Sequence, residues 1–228
     1  MTIKSAKTKP SNVWNRTGMD EMSKNFFSLV TSTWVVVGIL VTMNFAVVTK
    51  ALELNWFIVI GVLVFGIAGV LISGHGNPVV SFTGYMMVAV PFGILMGPVI
   101  NAYTDASVVK VLLTTTVVVA GLGFVGAIIP DNLQGLGSWF LGGLIALLAG
   151  YFVIPIAGFF GVPIEGALRA WDWIGVALFA GLVVYDWNRA MRIPKTWDNS
   201  IDVAIAIYLD WLNIFIRLLS LTGNKKSD

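Results

Sequence analysis

The segment LNWFIVIGVLVFGIAGVLIS, residues 54–73, carries no charged side chain over 20 residues. A helix needs about 20 consecutive apolar residues to cross the roughly 30 Å hydrocarbon core of a bilayer. The segment is too long for a transmembrane β-strand and lacks the period-two alternation of one. This one segment therefore predicts a membrane-spanning helix.

Further apolar runs of the same kind lie on both sides of it, at about residues 26–48, 79–102, 107–129, 139–160, 171–190 and 201–222. The 228-residue chain is 57% hydrophobic and only 11% charged, whereas an ordinary soluble domain carries about 25% charged residues. A water-soluble globule is excluded. We predict an all-α membrane protein, a bundle of seven transmembrane helices embedded in the lipid bilayer.

The distribution of charge divides the chain and predicts its orientation. Residues 1–24 form a polar N-terminal tail, residues 25–223 the transmembrane domain, and residues 224–228 a C-terminal tail. The first tail lacks an apolar core followed by a cleavage site, so it is interpreted as a retained tail and not a signal peptide. Eight Lys and Arg residues lie on the side of this tail and five on the other, which favours the N-terminus inside.

The composition excludes several classes of function. Without cysteine there are no disulfides, thiolate metal sites or cysteine nucleophiles, and a single histidine, His75, rules out multi-histidine metal centres. The net charge of +2 is too small and scattered to suggest nucleic acid as a partner. The seventh run has no lysine for a retinal Schiff base, and no nucleophile motif accompanies His75. We expect no cofactor and no enzymatic activity.

Three ionisable residues lie well inside the apolar runs: Asp186, Asp210 and Arg217. Such residues are costly at membrane depth and are functional by default. Lys110 and Asp202 lie near the ends of runs, where a side chain can reach the interface, so we expect both to be solvated. Asp186, Asp210 and Arg217 are therefore the candidate functional residues.

The two aspartates are expected to meet across a helical hairpin. Residues 192–199 connect the sixth run to the seventh, and residue 198, midway between Asp186 and Asp210, lies in that connection. In an antiparallel hairpin the two carboxylates then lie at similar depth. On the seventh helix, Asn213 and Arg217 lie about 60° and about 20° from the direction of Asp210. We predict one polar stripe that points into the bundle.

Two carboxylates in a low-dielectric interior are expected to share one proton, because ionising both would be costly. Such a pair responds to physiological pH. The alternative is that a protonated Asp210 only joins two helices by a hydrogen bond.

Small residues and prolines predict close packing and kinks. Gly93 and Gly97 form a small-xxx-small pair, and Gly121, Gly123 and Gly126 form a cluster, both of which let helix backbones approach. Three prolines lie inside runs and free the carbonyls four residues before them. These prolines, which are candidate hinges, are Pro91, Pro98 and Pro155.

The C-terminal residues resemble the transmembrane Bax inhibitor motif family, also called the Bax inhibitor family, in its bacterial form. The matching residues are Tyr185-Asp186, Tyr208-Leu209-Asp210, Asn213-Ile214-Phe215, Leu218-Leu219 and Gly223, with weaker matches at Asn77-Pro78 and over residues 97–103. The resemblance implies six helices around a central seventh, and a paired-aspartate pH sensor that gates a slow calcium leak. Asp186 and Asp210 would be that sensor.

The resemblance also shapes the expected ion chemistry. Some family members place an arginine latch near the junction of the second and third helices, where this chain has His75. A histidine there would add a second proton-sensitive element, and a solvated loop residue is the alternative. Ca²⁺ prefers six to eight oxygen ligands, so the pair, Asn213 and a few carbonyls would hold it only transiently, as a permeant ion. The direction of the pH response stays open at this point.

Two other functions compete with the channel. One is a partner that modulates another membrane protein, such as a protease, without transporting ions. The other is an intramembrane aspartyl protease, which also uses two carboxylates that share a proton. Residues 207–210 read Ile-Tyr-Leu-Asp where that class has Gly-x-Gly-Asp, and the chain has no Pro-Ala-Leu tripeptide. We expect a multi-pass protein of a bacterial cytoplasmic membrane.

Overall fold

The computed structural model describes residues 21–226, which fold into seven long α-helices. All seven are long and apolar enough to cross a membrane, and no strand occurs in this part of the chain. A short 3-10 turn, Leu133–Leu136, precedes the fifth helix. The helices are α1 Lys24–Val48, α2 Trp56–Ser73, α3 Pro78–Asn101, α4 Asp105–Ile128, α5 Gly137–Phe159, α6 Glu165–Ala190 and α7 Trp197–Thr222. The predicted count and class are confirmed.

Polar caps explain where several helices begin. The side chain of Asn55 accepts a hydrogen bond from Ile58 N at the start of α2. Asn77 accepts one from Val79 N at the start of α3, directly before a proline at the first helical position. These bonds satisfy backbone N–H groups that a helix leaves without partners in its first turn. The observed starts of α2 and α3 lie within two residues of the starts predicted from the apolar runs.

The starts of α6 and α7 differ from the prediction. Helix α6 begins at Glu165, six residues before the predicted run, and α7 begins at Trp197, four residues before it. Both first turns carry polar or charged residues, which lowers their hydropathy without preventing a helix. The connection between α6 and α7 is therefore residues 191–196, shorter than the predicted 192–199.

Helix α7 is the centre of the bundle. It packs against α1, α3, α4 and α6, while α2 packs mainly on α3 and α5 mainly on α6. The hydroxyl of Thr42 on α1 bonds to Ala89 O on α3 at 2.9 Å and to the hydroxyl of Tyr208 on α7 at 2.6 Å. Three helices therefore meet at one buried hydroxyl, and α7 has protein on nearly every side.

Close packing of α1 against α3 depends on glycine. A Cβ at Gly93 would lie 2.7 Å from Thr42 O, and a Cβ at Gly97 would lie 2.6 Å from Thr49 O. The predicted role of this pair is confirmed. In the second cluster, Gly123 and Gly126 pack against α6, whereas Gly121 faces open space.

The helices run without interruption through all three internal prolines. The carbonyl of Ile94, which Pro98 cannot bond, lies 3.4 Å from the hydroxyl of Thr49, whose shorter bond of 2.8 Å goes to Phe45 O. The end of α1 thus brings a shared donor near the group that Pro98 frees. The hinge roles of Pro91, Pro98 and Pro155 stay predictions.

Both ends of the described chain are attached to helix connections. Met22 N donates to Lys195 O at 2.8 Å, which joins the segment before α1 to the α6–α7 connection. Asn224 N donates to Ser107 Oγ at 2.8 Å, and Lys226 N to Ala102 O at 3.0 Å. Most of the predicted N-terminal tail, residues 1–20, lies outside the described residues, as do residues 227–228.

Candidate functional site

Asp186 and Asp210 meet inside the bundle. Asp186 lies one turn before the end of α6, and Asp210 lies in the middle of α7. Their side chains are within hydrogen-bonding reach of each other, and only 8% and 5% of the two residues is exposed. The antiparallel hairpin expected from the sequence therefore brings the two carboxyls together.

The surroundings of the pair are apolar. On α6, Val183 and Ala190 lie near one turn on either side of Asp186, and both are fully buried. On α7, Ile207 and Ile214 occupy the equivalent positions around Asp210 and are also buried. Little here can replace the water that an ionised carboxylate loses on burial.

A hydrogen bond between two carboxyls requires a proton on one of them, because ionised carboxylates only accept. Oxygen Oδ2 of Asp210 is buried and meets no protein donor. The positive charge of Arg189, one turn after Asp186, also acts on Asp186. The arrangement can hold one proton between two helices, with a basic group on one side of the pair.

The rest of the predicted polar stripe forms a separate cluster. Arg217 Nη1 donates to the carbonyl of Asn213 at 3.0 Å and to its side-chain oxygen at 2.9 Å. Arg217 is buried and lies over the ring of Phe179, 4.9 Å from its centroid. Seven residues of helix place it roughly 10 Å along α7 from Asp210. The side chains of Asn213 and Arg217 are thus bonded to each other and to the backbone of α7, at a distance from the acid pair.

Sequence reasoning missed Asp172, which balances the charge of Arg217. Asp172 lies in the second turn of α6, accepts hydrogen bonds from Tyr151 at 2.6 Å and Ser220 at 2.9 Å, and acts electrostatically on Arg217. It escaped notice because it stands at the predicted start of the sixth run, where a solvated position is expected. With α6 starting at Glu165, Asp172 lies inside the helix and not at its end.

The prediction that Asp202 is solvated is wrong, because only 5% of this residue is exposed. Since α7 begins at Trp197, Asp202 lies in its second turn and inside the bundle. Lys110, by contrast, is exposed as predicted.

The first turn of α7 is polar and buried as well. Ser81 on α3 hydrogen-bonds to Asp198 at 2.5 Å, and Asn199 donates to Pro194 O at 2.9 Å. Both residues were expected in a connection. They fix the start of α7 against α3 and against the chain that leads into it.

His75 lies in the turn between α2 and α3 and is exposed. Its carbonyl lies 2.9 Å from Ser81 Oγ, a hydroxyl whose single proton is also within reach of Ser73 O at 2.7 Å and Asp198 at 2.5 Å. Ser81 thus joins the turn to the start of α7. The role of His75 as a latch stays a prediction.

The described residues hold no group of three or more His, Cys, Asp or Glu side chains that could bind a metal ion. The pair could supply carboxylate oxygens, which suit Ca²⁺, but far fewer than the six to eight it prefers. Any cation would be held weakly here.

Comparison with known proteins identifies the relatives of the chain. The family model described as Inhibitor of apoptosis-promoting Bax1 matches residues 20–227. The inner membrane protein YbhL of Escherichia coli (strain K12) is 25% identical over 213 residues, which cover 85% of this chain and 89% of that protein. An uncharacterized protein of Caulobacter vibrioides is 28% identical over 168 residues, 68% of this chain and 65% of its own. The match to the family model extends over the helices that carry both clusters.

Proposed function

Because the chain belongs to the Inhibitor of apoptosis-promoting Bax1 family of membrane proteins, we propose that it is a pH-sensitive calcium leak channel gated by Asp186 and Asp210. The observation that carries the proposal is the contact of these two carboxyls, buried between α6 and α7. The family resemblance supplies the ion, and the geometry supplies the switch.

The shared proton holds α6 to α7. With one proton the pair forms a hydrogen bond, and with none it sets two negative charges side by side. Two unit charges 4 Å apart repel by about 4 kcal/mol at an effective dielectric constant of about 20. Loss of the proton therefore turns an attraction between the helices into a repulsion of several kcal/mol.

The change from attraction to repulsion on loss of the proton gives the direction of the pH response. At low pH the proton stays, α6 and α7 remain in contact, and the path is closed. As the pH rises the proton leaves, the helices separate at the pair, and the exposed carboxylates attract a divalent cation. Calcium flux is therefore expected to rise with pH.

The weak coordination suits a leak. An ion that binds too tightly does not leave, so conduction needs transient sites. Two carboxylates with the nearby amide of Asn213 offer such a site for Ca²⁺ once the proton is gone. No resident metal or cofactor enters this proposal.

The relatives and the distribution of charge support a proposed cellular setting. YbhL is an inner membrane protein of a bacterium, and the basic residues lie mainly on the side of the N-terminus. We place the chain in a bacterial cytoplasmic membrane with its N-terminus inside.

The test is calcium flux into proteoliposomes that contain an indicator dye, measured from about pH 6 to about pH 8. Wild-type flux is expected to rise across this range, and Asp210→Asn is expected to lose the pH response. Asp105→Asn is the matched control, since Asp105 is an exposed carboxylate that pairs with Lys50 at the surface. A wild-type pH response in Asp210→Asn would remove the pair from the mechanism.

A further inference from the structure

A groove of about 540 Å³ lies between α1 and α4. Both helices pack on α7 but leave this space between them. Its floor consists of Trp187 on α6 with Ile207 and Trp211 on α7. The volume is in the range of roughly 300–1,000 Å³ that small-molecule sites occupy.

The groove runs along the lengths of α1 and α4. On α1 it extends from Lys24 to Ile39, and on α4 from Thr116 to Ile128. At 1.5 Å per residue these stretches are about 20 Å long. The hydrocarbon core is about 30 Å thick, so the groove covers one leaflet and passes the midplane.

The two ends of the groove differ in polarity. Most of its length is lined by aliphatic and aromatic side chains such as Val35, Ile39 and Phe124. At one end α1 contributes Lys24, Asn25 and Ser28. A long apolar channel with polar groups at one interface has the polarity of a phospholipid.

The polar end is positively charged. Lys195 lies close enough to Lys24 that burial and the charge of Lys24 lower the pKa of Lys195, while Glu21 acts in the opposite sense. Lys195 donates to the carbonyls of Met191 and Ile193, and Met191 lines the groove. Two ammonium groups therefore stand beside the mouth, with one acidic group nearby.

We propose that this groove binds one anionic phospholipid, with an acyl chain between α1 and α4 and its phosphate at Lys24. A second transmembrane helix fits less well, because a helix about 10 Å across and 20 Å long fills roughly 1,500 Å³. An extended acyl chain is narrow enough to enter. The positive mouth selects an anionic headgroup over a neutral one.

Native mass spectrometry of the purified full chain, titrated with phosphatidylglycerol or phosphatidylcholine, tests the proposal. Wild type is expected to retain one phosphatidylglycerol in preference to phosphatidylcholine. Removing the charge in Lys24→Gln is expected to weaken this binding about fivefold. Lys110→Gln, at an exposed lysine on α4 outside the groove, is expected to bind as wild type does.

Variants that block the groove provide a second test of lipid binding. Ala120 lines it, so Ala120→Phe fills it and is expected to abolish the retained lipid. Val117→Phe is the control, because Val117 is 71% exposed on α4 and does not line the groove. Ser32→Phe blocks from the α1 wall if Ala120→Phe fails to fold.

Equal lipid retention by wild type and both blocked variants would overturn the proposal. So would equal affinity for the two lipids that Lys24→Gln does not change. A copurifying membrane protein released by Ala120→Phe, with no bound lipid in wild type, would show that a helix occupies the groove instead.

Discussion

At the scale of single residues, the acid pair is recognisable from spacing alone. Asp186 and Asp210 stand in two successive apolar runs, at equal distances from residue 198. The structure brings them together, although residue 198 lies in the first turn of α7 and the observed connection, residues 191–196, is nearer to Asp186. Spacing does not predict the surroundings of the pair: Arg189 lies beside it, whereas Arg217, expected on the same polar stripe, hydrogen-bonds to Asn213 and is influenced by the charge of Asp172.

The pair also predicts how stability changes with pH. Since ionising both carboxyls replaces a hydrogen bond by a repulsion, the melting temperature of wild type should fall between about pH 6 and about pH 8. Asp210→Asn keeps a donor for Asp186 and should lose this dependence. Thermal unfolding in detergent measures both, and an equal pH dependence in the variant would contradict the account.

Substitution of Arg217 tests the second buried polar cluster. Arg217→Gln removes the guanidinium that Asp172 faces and should destabilise the protein by about 1–3 kcal/mol. Because the cluster lies roughly 10 Å from the acid pair along α7, the pH response of calcium flux should persist. Lys110→Gln is the surface control for stability, and loss of the pH response in Arg217→Gln would join the two clusters into one mechanism.

At the scale of helices, hydropathy finds the elements but not all of their ends. The runs predict five helix starts within about two residues, and fail where α6 and α7 begin with polar turns. That failure explains why Asp202 was wrongly expected to be solvated and why Asp172, at the predicted start of the sixth run, was not considered; both residues lie inside helices. In a bundle with a central helix, a polar first turn can be buried against protein, and composition does not report this.

Glycine provides a matched test of helix packing. Gly93→Ala places a Cβ against the backbone of α1 and should destabilise the protein by about 1–3 kcal/mol. Gly121→Ala meets open space and gains helix propensity, so its stability should be unchanged or up to about 1 kcal/mol higher. Melting temperatures of the two variants compare them directly, and equal effects would show that α1 and α3 are not held at this distance.

At the scale of the whole molecule, α7 is surrounded by α1, α3, α4 and α6, so a movement at Asp210 reaches most of the bundle. The family resemblance implied the central position of α7, whereas the apolar pattern did not, because α6 and α7 are the two least apolar of the seven helices. Its many buried polar residues are the physical signal of a helix that faces protein on all sides.

The distribution of charge over the whole chain predicts which side of the membrane holds the N-terminus. The absence of cysteine allows single labelling sites at Ser5→Cys and Ser227→Cys. With the N-terminus inside, an impermeant maleimide should label the second variant in intact spheroplasts and the first only after permeabilisation. Labelling in the reverse pattern would overturn the orientation.

In the proposed mechanism, two carboxyls inside the bundle hold a common proton whose loss opens the path. Infrared difference spectroscopy of the reconstituted protein between about pH 6 and about pH 8 observes that proton directly. The account predicts that one protonated carboxyl band disappears as the pH rises, and that the change is absent in Asp186→Asn and Asp210→Asn. A spectrum without that change, or the same change in both variants, would contradict it.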